Sequence, residues 1–418
     1  MSFRNRTLCR LRTGAGRSWL VLALVVALTA SVAGAQVAAA PQLVGVIASR
    51  TGAGAAAGVP QWLLASERAT QLRGSGGIFG VDVSFELRDD NSVPASARRH
   101  AEELVDLGAL VIVCCTTPLA TRDVAQVAEA AGVTLLAPTT FEDAAPYPYW
   151  AFALAADDTD SVAAIVADAY REPRHSLALM ALEGPLGDAA EADLRAHLAV
   201  IGAAVPHVER YTPGTTELRP EALLVAASQP GGVVVWGLYD DLLVAYEALR
   251  RRGYEGTVYG RSALLAPGHS PLPWARLINL RLAVAPAVAP LASAPSSADP
   301  RTPSHGTWGA AGACAAAVHL DSQRLARVPG AATNAVATAP FLAALDLIEL
   351  GLEQVIALQI PSSEPAVLRQ ALRDALVGRP ALCTGAGLID LRDGSPNAVD
   401  PAGLAIAVVT SRGLAPLP

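Results

Sequence analysis

The sequence predicts an α/β protein with two doubly wound parallel-sheet lobes. Two observations predict this fold class. Short apolar runs alternate with amphipathic helices between Leu43 and Pro138, and the same alternation restarts after Asp157. Strands that alternate with helices form parallel sheets through right-handed crossovers, so two such runs predict two lobes.

Residues 1–35 are predicted to be a signal peptide. An arginine-rich stretch from Arg4 to Arg17 precedes an apolar run from Trp19 to Val32, and Ala33-Gly34-Ala35 fits a cleavage site. The apolar run has about 14 residues, fewer than the roughly 20 that a membrane-spanning helix needs. Cys9 precedes the cleavage site, so a lipid anchor is not expected. We therefore expect a periplasmic protein with no stable membrane insertion after cleavage.

Length and charge narrow the classes of function. Removal of 35 residues from the 418 leaves about 383, which is enough for two domains of ~150 residues. The formal net charge of −7 includes the arginine-rich leader, so the remaining chain is more acidic still. Such a charge argues against a nucleic-acid partner.

Strands and helices of the first run follow from apolar spacing. Near-continuous apolar runs are typical of strands covered on both faces, and helical spacing predicts the segments between them, two of which begin at a proline. The predicted strands are Leu43–Ser49, Val81–Leu87, Leu110–Val113 and Val133–Leu136. The predicted helices are Pro60–Arg73, one from Pro94 that ends at Gly108, and Thr121–Ala131.

The second run repeats the pattern. Its predicted helices are Ser161–Tyr170, Asp188–Ile201 and Asp241–Arg252, and its predicted strands are Leu177–Leu182, Val205–Tyr211, Val233–Leu238 and Thr257–Gly260. Residues 284–332 are rich in proline, alanine and serine, which predicts a long irregular connection. Helices are predicted again at Ala335–Leu352 and Pro365–Leu376, before strands at Gly387–Leu391 and Leu404–Val409.

Four cysteines follow the predicted leader: Cys114, Cys115, Cys314 and Cys383. An exported protein can form disulfides, but spacing does not give their connectivity. Cys114 and Cys115 end a strand-like run, where cysteines are commonly buried as small apolar residues. Adjacent cysteines rarely satisfy disulfide geometry with each other, and pairing of one of them with Cys314 is an open alternative.

Several short motifs occur in a shared order between Leu43 and Val409. They include Val44-Gly45-Val46-Ile47 followed by Thr51-Gly52, Gly76-Gly77-Ile78, Arg88-Asp89-Asp90 with Pro94, and Ala137-Pro138. In this order the chain resembles the branched-chain amino acid (leucine-binding-protein-like) substrate-binding proteins of ABC importers, which are type I periplasmic binding proteins. The resemblance implies that a multi-crossover hinge joins the two lobes, with an N-terminal lobe of residues 42–156 plus about 284–376. It implies a C-terminal lobe of residues 157–283 plus about 380–412.

The resemblance also implies that a small molecule binds between the lobes. Pro118 stands where the family has a hydroxyl residue for the ligand carboxylate, so neighbouring hydroxyls are candidates in its place. Aligned with the family's cleft loops are Thr116, Thr117, Thr121, Thr139, Thr140, Tyr239, Arg261 and Ser262. Tyr239 keeps an aromatic side chain where the family has one.

One departure from the family predicts the charge of the ligand. Ser262 stands in place of the acid that holds a ligand amino group, with Arg261 beside it. An unpaired ammonium in a closed cleft costs several kcal/mol, so an unmodified amino acid is a poor candidate ligand. Arg261 would favour a carboxylate if it faces the cleft, and a solvated surface arginine is the alternative. For Thr140 and Tyr239 the alternative is ordinary capping or packing at the cleft edge.

The sequence gives no reason to expect an enzyme, a cofactor or a metal. Its seven histidines have no metal-ligand spacing, and Gly260-Arg261-Ser262 lacks the closing glycine of a nucleophile elbow. Three functions stay open. The leading hypothesis is a solute-binding subunit that delivers its ligand to ABC permease subunits. The alternatives are a protein that presents its ligand to a sensor or periplasmic enzyme system, and a degenerate member with a structural role.

Overall fold

The computed structural model describes residues 41–141, 149–171, 176–204, 206–265, 274–288, 314–360, 364–392, 395–411 and 413–417. The predicted signal peptide lies outside these residues. The structure is a mixed α/β fold with two large sheets and one small sheet.

The first sheet has five parallel strands in the order β2-β1-β3-β4-β5. The strands are β1 (Gln42–Ala48), β2 (Val83–Asp89), β3 (Val111–Val113), β4 (Thr134–Ala137) and β5 (Ala151–Ala153). The connecting helices are α1 (Ala55–Ser75), α2 (Pro94–Asp106) and α3 (Pro118–Ala131). Strands β3, β4 and β5 are buried along their whole length, as a sheet covered on both faces requires.

The second sheet has seven strands in the order β15-β14-β10-β9-β8-β6-β7. The strands are β6 (Leu177–Leu182), β7 (His207–Tyr211), β8 (Gly232–Trp236), β9 (Thr257–Gly260), β10 (Leu280–Val284), β14 (Ala405–Thr410) and β15 (Gly413–Pro416). The pairs from β7 to β10 are parallel, whereas β14 and β15 pair antiparallel. The helices of this run are α4 (Asp158–Ala169), α5 (Pro185–Val200), α6 (Arg219–Ala227) and α7 (Tyr239–Arg251).

The remaining elements contact the first sheet or the connections. They are α8 (Ala315–Arg327), α9 (Ala335–Ala357), α10 (Pro365–Val377), β11 (Leu382–Thr384), β12 (Gly387–Ile389) and β13 (Val399–Asp400). Helix α9 packs on α1, α10, β3 and β4. The segment Ala332–Ala357 is long and apolar enough to cross a membrane, but 72% of its most apolar 18-residue stretch is buried inside the protein, as in a core helix.

Connections between the sheets run side by side. Ala153, at the end of β5, accepts a hydrogen bond from Ala398 N (2.9 Å) and donates one to Pro396 O (2.6 Å). Ala287 N donates to Gly385 O at 2.9 Å. Asn397 also donates from Nδ2 to Asp160 Oδ2 at 2.6 Å, which ties this strand to the first turn of α4.

Three sequence-based expectations are corrected. Helix α6 was not predicted between β7 and β8, because nine residues with little amphipathic contrast give a weak signal. Residues 284–332 were predicted to be irregular throughout, yet they contain α8, whose alanine-rich start follows a proline-rich segment. Helix α3 begins at Pro118 rather than at Thr121, since Thr117 supplies its N-cap.

The disulfides also differ from the open alternative in which one of the adjacent cysteines pairs with Cys314. Cys314 is bonded to Cys383, which joins the start of α8 to β11, and Cys114 is bonded to Cys115. The expected burial of Cys114 and Cys115 is confirmed, with exposed fractions of 0% and 1%. They pack in the cluster beneath α2 and α3.

Candidate functional site

Sheet topology marks one edge of each large sheet. The order of the first sheet reverses between β1 and β3, and that of the second sheet reverses between β6 and β8. In doubly wound sheets, ligands bind outside the carboxyl ends of the strands at such reversals. We therefore call the segments after β1, β3 and β4 the first edge, and those after β6, β8 and β9, with the start of α4, the second edge.

The first edge contains a buried hydrogen-bond network. Ser49 N donates to Thr116 Oγ1 at 3.0 Å, and Ser49 Oγ donates to Asp90 Oδ1 at 2.7 Å. Thr116 Oγ1 in turn donates to Gln61 Oε1 at 3.1 Å. Ser49, Gln61 and Asp90 are each no more than 1% exposed. The network joins the ends of β1, β2 and β3, and it occupies the hydroxyl of Thr116.

Two more candidate hydroxyls belong to α3. Thr117 accepts a hydrogen bond from Ala120 N at 3.5 Å as the N-cap. Thr121 is fully buried, and its Oγ1 donates to Thr117 O at 3.0 Å. The first turn of α3 thus uses both side chains for its own capping, and Thr121 faces the protein interior.

Thr139 and Thr140 differ from these three. They follow β4 directly and are half-buried, and within the described ranges neither hydroxyl has a hydrogen-bond partner. The next residue, Phe141, packs against the cluster beneath α2 and α3. Thr139 and Thr140 are therefore the candidate hydroxyls of the first edge that remain available to a ligand.

A charged pair dominates the second edge. The Arg261 guanidinium donates from Nε to Asp158 Oδ1 (3.2 Å) and from Nη2 to Asp158 Oδ2 (2.7 Å). It also donates from Nη1 to Gly237 O at 3.3 Å and lies 5.6 Å from the ring centroid of Trp236. Only 16% of the Arg261 side chain is exposed. Arg261 is thus neither a solvated surface arginine nor an unpaired cation.

Ser262 and Tyr239 are the other two candidate residues of the second edge. Ser262 is half-buried, and its Oγ lies 3.5 Å from Ser161 Oγ, a residue of α4. Tyr239 is the first residue of α7, and its side chain lies outside the described parts of the protein. Arg261 and Ser262 are therefore both joined to the first turns of α4.

Two buried side chains beneath the second edge, Tyr211 and Asp241, are hydrogen-bonded within the protein, whereas Trp236 Nε1 has no partner among the described residues. Tyr211 Oη donates to Trp236 O at 3.2 Å, and burial, with the nearby Asp241 carboxylate, raises the pKa of Tyr211. Burial also raises the pKa of Asp241, whose Oδ2 accepts from Leu238 N at 2.9 Å. A Cβ on Gly237 would lie 2.0 Å from Tyr211 Oη, which explains a glycine after β8.

Sequence reasoning missed Asp158. The run Asp157-Asp158-Thr159-Asp160 is typical of a helix N-terminus, where carboxylates are stabilised by free backbone N–H groups. Asp157 and Asp160 form a capping box there, but Asp158 lies outside it and reaches Arg261, 103 residues away. An acid is thus present at the second edge, although Ser262 stands where the family has one.

A cavity of about 270 Å³ lies elsewhere, between α1, α8 and α9. Its lining includes Leu342 and Leu345 together with Arg68 and Arg324, and Asp346 accepts hydrogen bonds from both of these arginines. This cavity lies apart from both edges.

The fold has two large doubly wound sheets, and each has the kind of strand-order reversal at which ligands bind in such folds. Residues 41–276 match the sequence profile of the periplasmic binding protein family. The chain belongs to this family, and its fold is that of the type I members. The family consists of solute-binding proteins of the periplasm or cell exterior. A comparison with curated proteins finds no match.

Solved structures share the fold at low sequence identity. A putative branched-chain amino acid ABC transporter protein from Rhodospirillum rubrum has a TM-score of 0.68 at 20% identity, over 90% of this chain and 100% of that one. The branched-chain amino acid binding protein LivJ from Streptococcus pneumoniae, in complex with isoleucine, has a TM-score of 0.56 at 14% identity, over 90% and 97%. A solute-binding protein from Rhodopseudomonas palustris, in complex with 4-hydroxybenzoate, has a TM-score of 0.59 at 14% identity, over 90% and 96%.

Proposed function

We propose that this protein binds a small, amine-free solute between its two edges and delivers it to the permease subunits of an ABC importer from the periplasm. In this proposal the lobes are residues 42–156 plus about 284–376 and residues 157–283 plus about 380–412, and they close on the solute by a hinge motion at the side-by-side connections. One observation carries the proposal: the acid of the second edge, Asp158, is already paired with Arg261.

The charge of the solute follows from that pair. A ligand ammonium at the second edge would have to compete with a guanidinium that makes two hydrogen bonds to the same carboxylate. A ligand carboxylate is better placed at the first edge, where Thr139 and Thr140 have hydroxyls to donate. Structures of this fold in complex with isoleucine and with 4-hydroxybenzoate indicate that the fold accommodates solutes with an amine and without one. We propose that this chain binds a solute of the amine-free class.

The test is to identify the solute. Protein exported by its natural host is purified and denatured, and the released small molecules are identified by mass spectrometry. We expect an amine-free compound that rebinds to the ligand-free protein in calorimetry, whereas leucine, isoleucine and valine bind poorly. Micromolar affinity for any of these three amino acids would contradict the proposal. Loss of uptake of the identified compound on deletion of the gene tests delivery to an importer.

A further inference from the structure

The pair between Asp158 and Arg261 joins two elements of the second edge that are far apart in sequence. Asp158 is the first residue of α4, so its carboxylate lies at the positive end of the helix dipole. Arg261 follows the last residue of β9, at the carboxyl end of a parallel strand. Two elements far apart in sequence thus place opposite charges next to each other at the second edge.

Arg261 is fixed in this position from several sides. Asp158 accepts two of its N–H groups, Gly237 O accepts a third, and the Trp236 ring lies beneath the guanidinium. Planar, two-point pairing of this kind is the arrangement in which arginine recognises a carboxylate. Asp158 therefore occupies the position on Arg261 that the carboxylate of a solute would otherwise take.

We propose that Asp158 is a specificity-determining residue that acts as a tethered anion. It neutralises Arg261 and is itself neutralised, so the second edge accepts only the uncharged end of a solute. This inference rests on the proposed binding of a solute between the edges and adds a rule for its charge. A solute with a second carboxylate is excluded by Asp158, and a solute with an ammonium is excluded by Arg261.

Removal of either partner should expose the other. In Asp158→Asn, the guanidinium loses its counter-charge and becomes a receptor for a second carboxylate. In Arg261→Gln, the Asp158 carboxylate becomes a receptor for an ammonium. The double variant has neither charge, so it should regain the preference of the unaltered protein.

Three probes with the same six-carbon chain and the same first carboxylate test this rule: hexanoate, adipate and 6-aminohexanoate. They differ only at the far end, which is uncharged, anionic or cationic. Their affinities are measured by calorimetry for the ligand-free protein and the three variants. We expect the unaltered protein to prefer hexanoate. A charge-assisted hydrogen bond changes affinity by roughly tenfold or more, so Asp158→Asn should gain at least tenfold for adipate and Arg261→Gln at least tenfold for 6-aminohexanoate.

Arg195→Gln is the matched control, because Arg195 pairs with Glu191 on the exposed surface of α5 and should leave the order of the probes unchanged. The inference is overturned if the unaltered protein binds either charged probe as tightly as hexanoate, or if neither single variant changes the order. Absence of binding of all three probes to every variant overturns it too, since each single variant creates a charge complementary to one probe. These outcomes leave the proposed function to its own test, which is the identity of the released solute.

Discussion

The two edges are built from different chemistry on the same scaffold. The first edge is joined by hydroxyl and amide groups around one buried carboxylate, Asp90, and its available groups are the hydroxyls of Thr139 and Thr140. The second edge has a paired guanidinium and carboxylate over an indole ring. Neutral hydroxyl donors can bind a ligand carboxylate although they carry no charge. In the ion pair each charge already has a partner, so a charged ligand group would remain unpaired there. Under the proposed function, each edge would select a different end of one solute.

Both edges nevertheless depend on the same close approach of helix to strand. A Cβ on Gly58, in α1, would lie 2.1 Å from Ser49 O, just after β1. A Cβ on Gly187, in α5, would lie 1.9 Å from Leu182 O, at the end of β6. We expect Gly58→Ala and Gly187→Ala each to lower the free energy of unfolding by about 3 kcal/mol, because the obstructing atoms belong to the backbone.

Chemical denaturation of these two variants checks the shared scaffold. Gly74→Ala is the control: it lies in α1, has open space around its Cβ, and should stabilise the protein by about 0.5 kcal/mol. A large effect at one edge and none at the other would show that the two edges do not share this packing.

The acids of the two edges should differ in their contribution to stability. Asp90 is 1% exposed and accepts from Ser49 Oγ and Ser92 N, so Asp90→Ala leaves two donors without an acceptor. We expect a loss of about 2–3 kcal/mol in the free energy of unfolding. Asp158 has 36% of its side chain exposed, and Asp158→Ala should cost about 1 kcal/mol or less.

Urea denaturation of both variants measures this contrast. Asp90→Asn is the control at the first edge, since its amide oxygen can still accept from Ser49 and Ser92. Equal losses for Asp90→Ala and Asp158→Ala would contradict the interpretation of Asp90 as a structural acid and Asp158 as a selective one.

The stability that the second edge contributes to the protein should depend on pH. Burial raises the pKa of Asp160 to about 7, and the adjacent Asp157 carboxylate adds to the shift. An unfolded aspartate has a pKa of about 4, so the folded protein holds this proton more tightly. Its stabilising effect is therefore complete below about pH 4 and is lost as the pH rises through about 7.

Asp160→Asn tests the effect, because an asparagine can still accept the hydrogen bond from Asn397. The difference in free energy of unfolding between the variant and the unaltered protein should grow in favour of the variant by roughly 4 kcal/mol between pH 4 and pH 8, since the two pKa values differ by about three units. Thr117→Asn, which changes the neutral cap of α3, should leave that profile unchanged. Parallel profiles for Asp160→Asn and the unaltered protein would disprove the assignment.

The periodic part of the fold could be predicted from the sequence. Strands such as β6, predicted at Leu177–Leu182 and found there, are continuous apolar runs between turn residues. Short elements such as α6, and α8 after a proline-rich segment, carry too little periodic contrast. Element boundaries also moved where a cap decides them, as when Thr117 starts α3 ahead of Thr121.

The site was harder to predict, because its interactions join distant parts of the sequence. Alignment identified Arg261 and Ser262, but the partner of Arg261 depends on how the first turn of α4 packs against the end of β9. Likewise, nothing local distinguishes Thr116, which is used by Gln61 and Ser49, from Thr140, which is not. The sequence shows which hydroxyl residues follow the strands, and packing decides which of their hydroxyls remain available to a ligand.

The smallest expected effects on stability lie within the first edge, between Thr140 and Thr116. A hydrogen bond from the Thr140 hydroxyl to a ligand carboxylate contributes about 1.5–3 kcal/mol, so Thr140→Ala should weaken binding of the solute recovered from the protein by about ten- to a hundredfold. The free energy of unfolding should stay within about 0.5 kcal/mol, because the hydroxyl has no partner in the part of the chain that the structure describes.

Thr116→Ala should instead lower the free energy of unfolding by about 1 kcal/mol, since Ser49 N and Gln61 lose their hydrogen-bond partner. Calorimetric titration and denaturation of both variants decide the matter: if Thr140→Ala leaves affinity unchanged while Thr116→Ala abolishes binding without loss of stability, the ligand contact belongs to the segment after β3 and not to the one after β4.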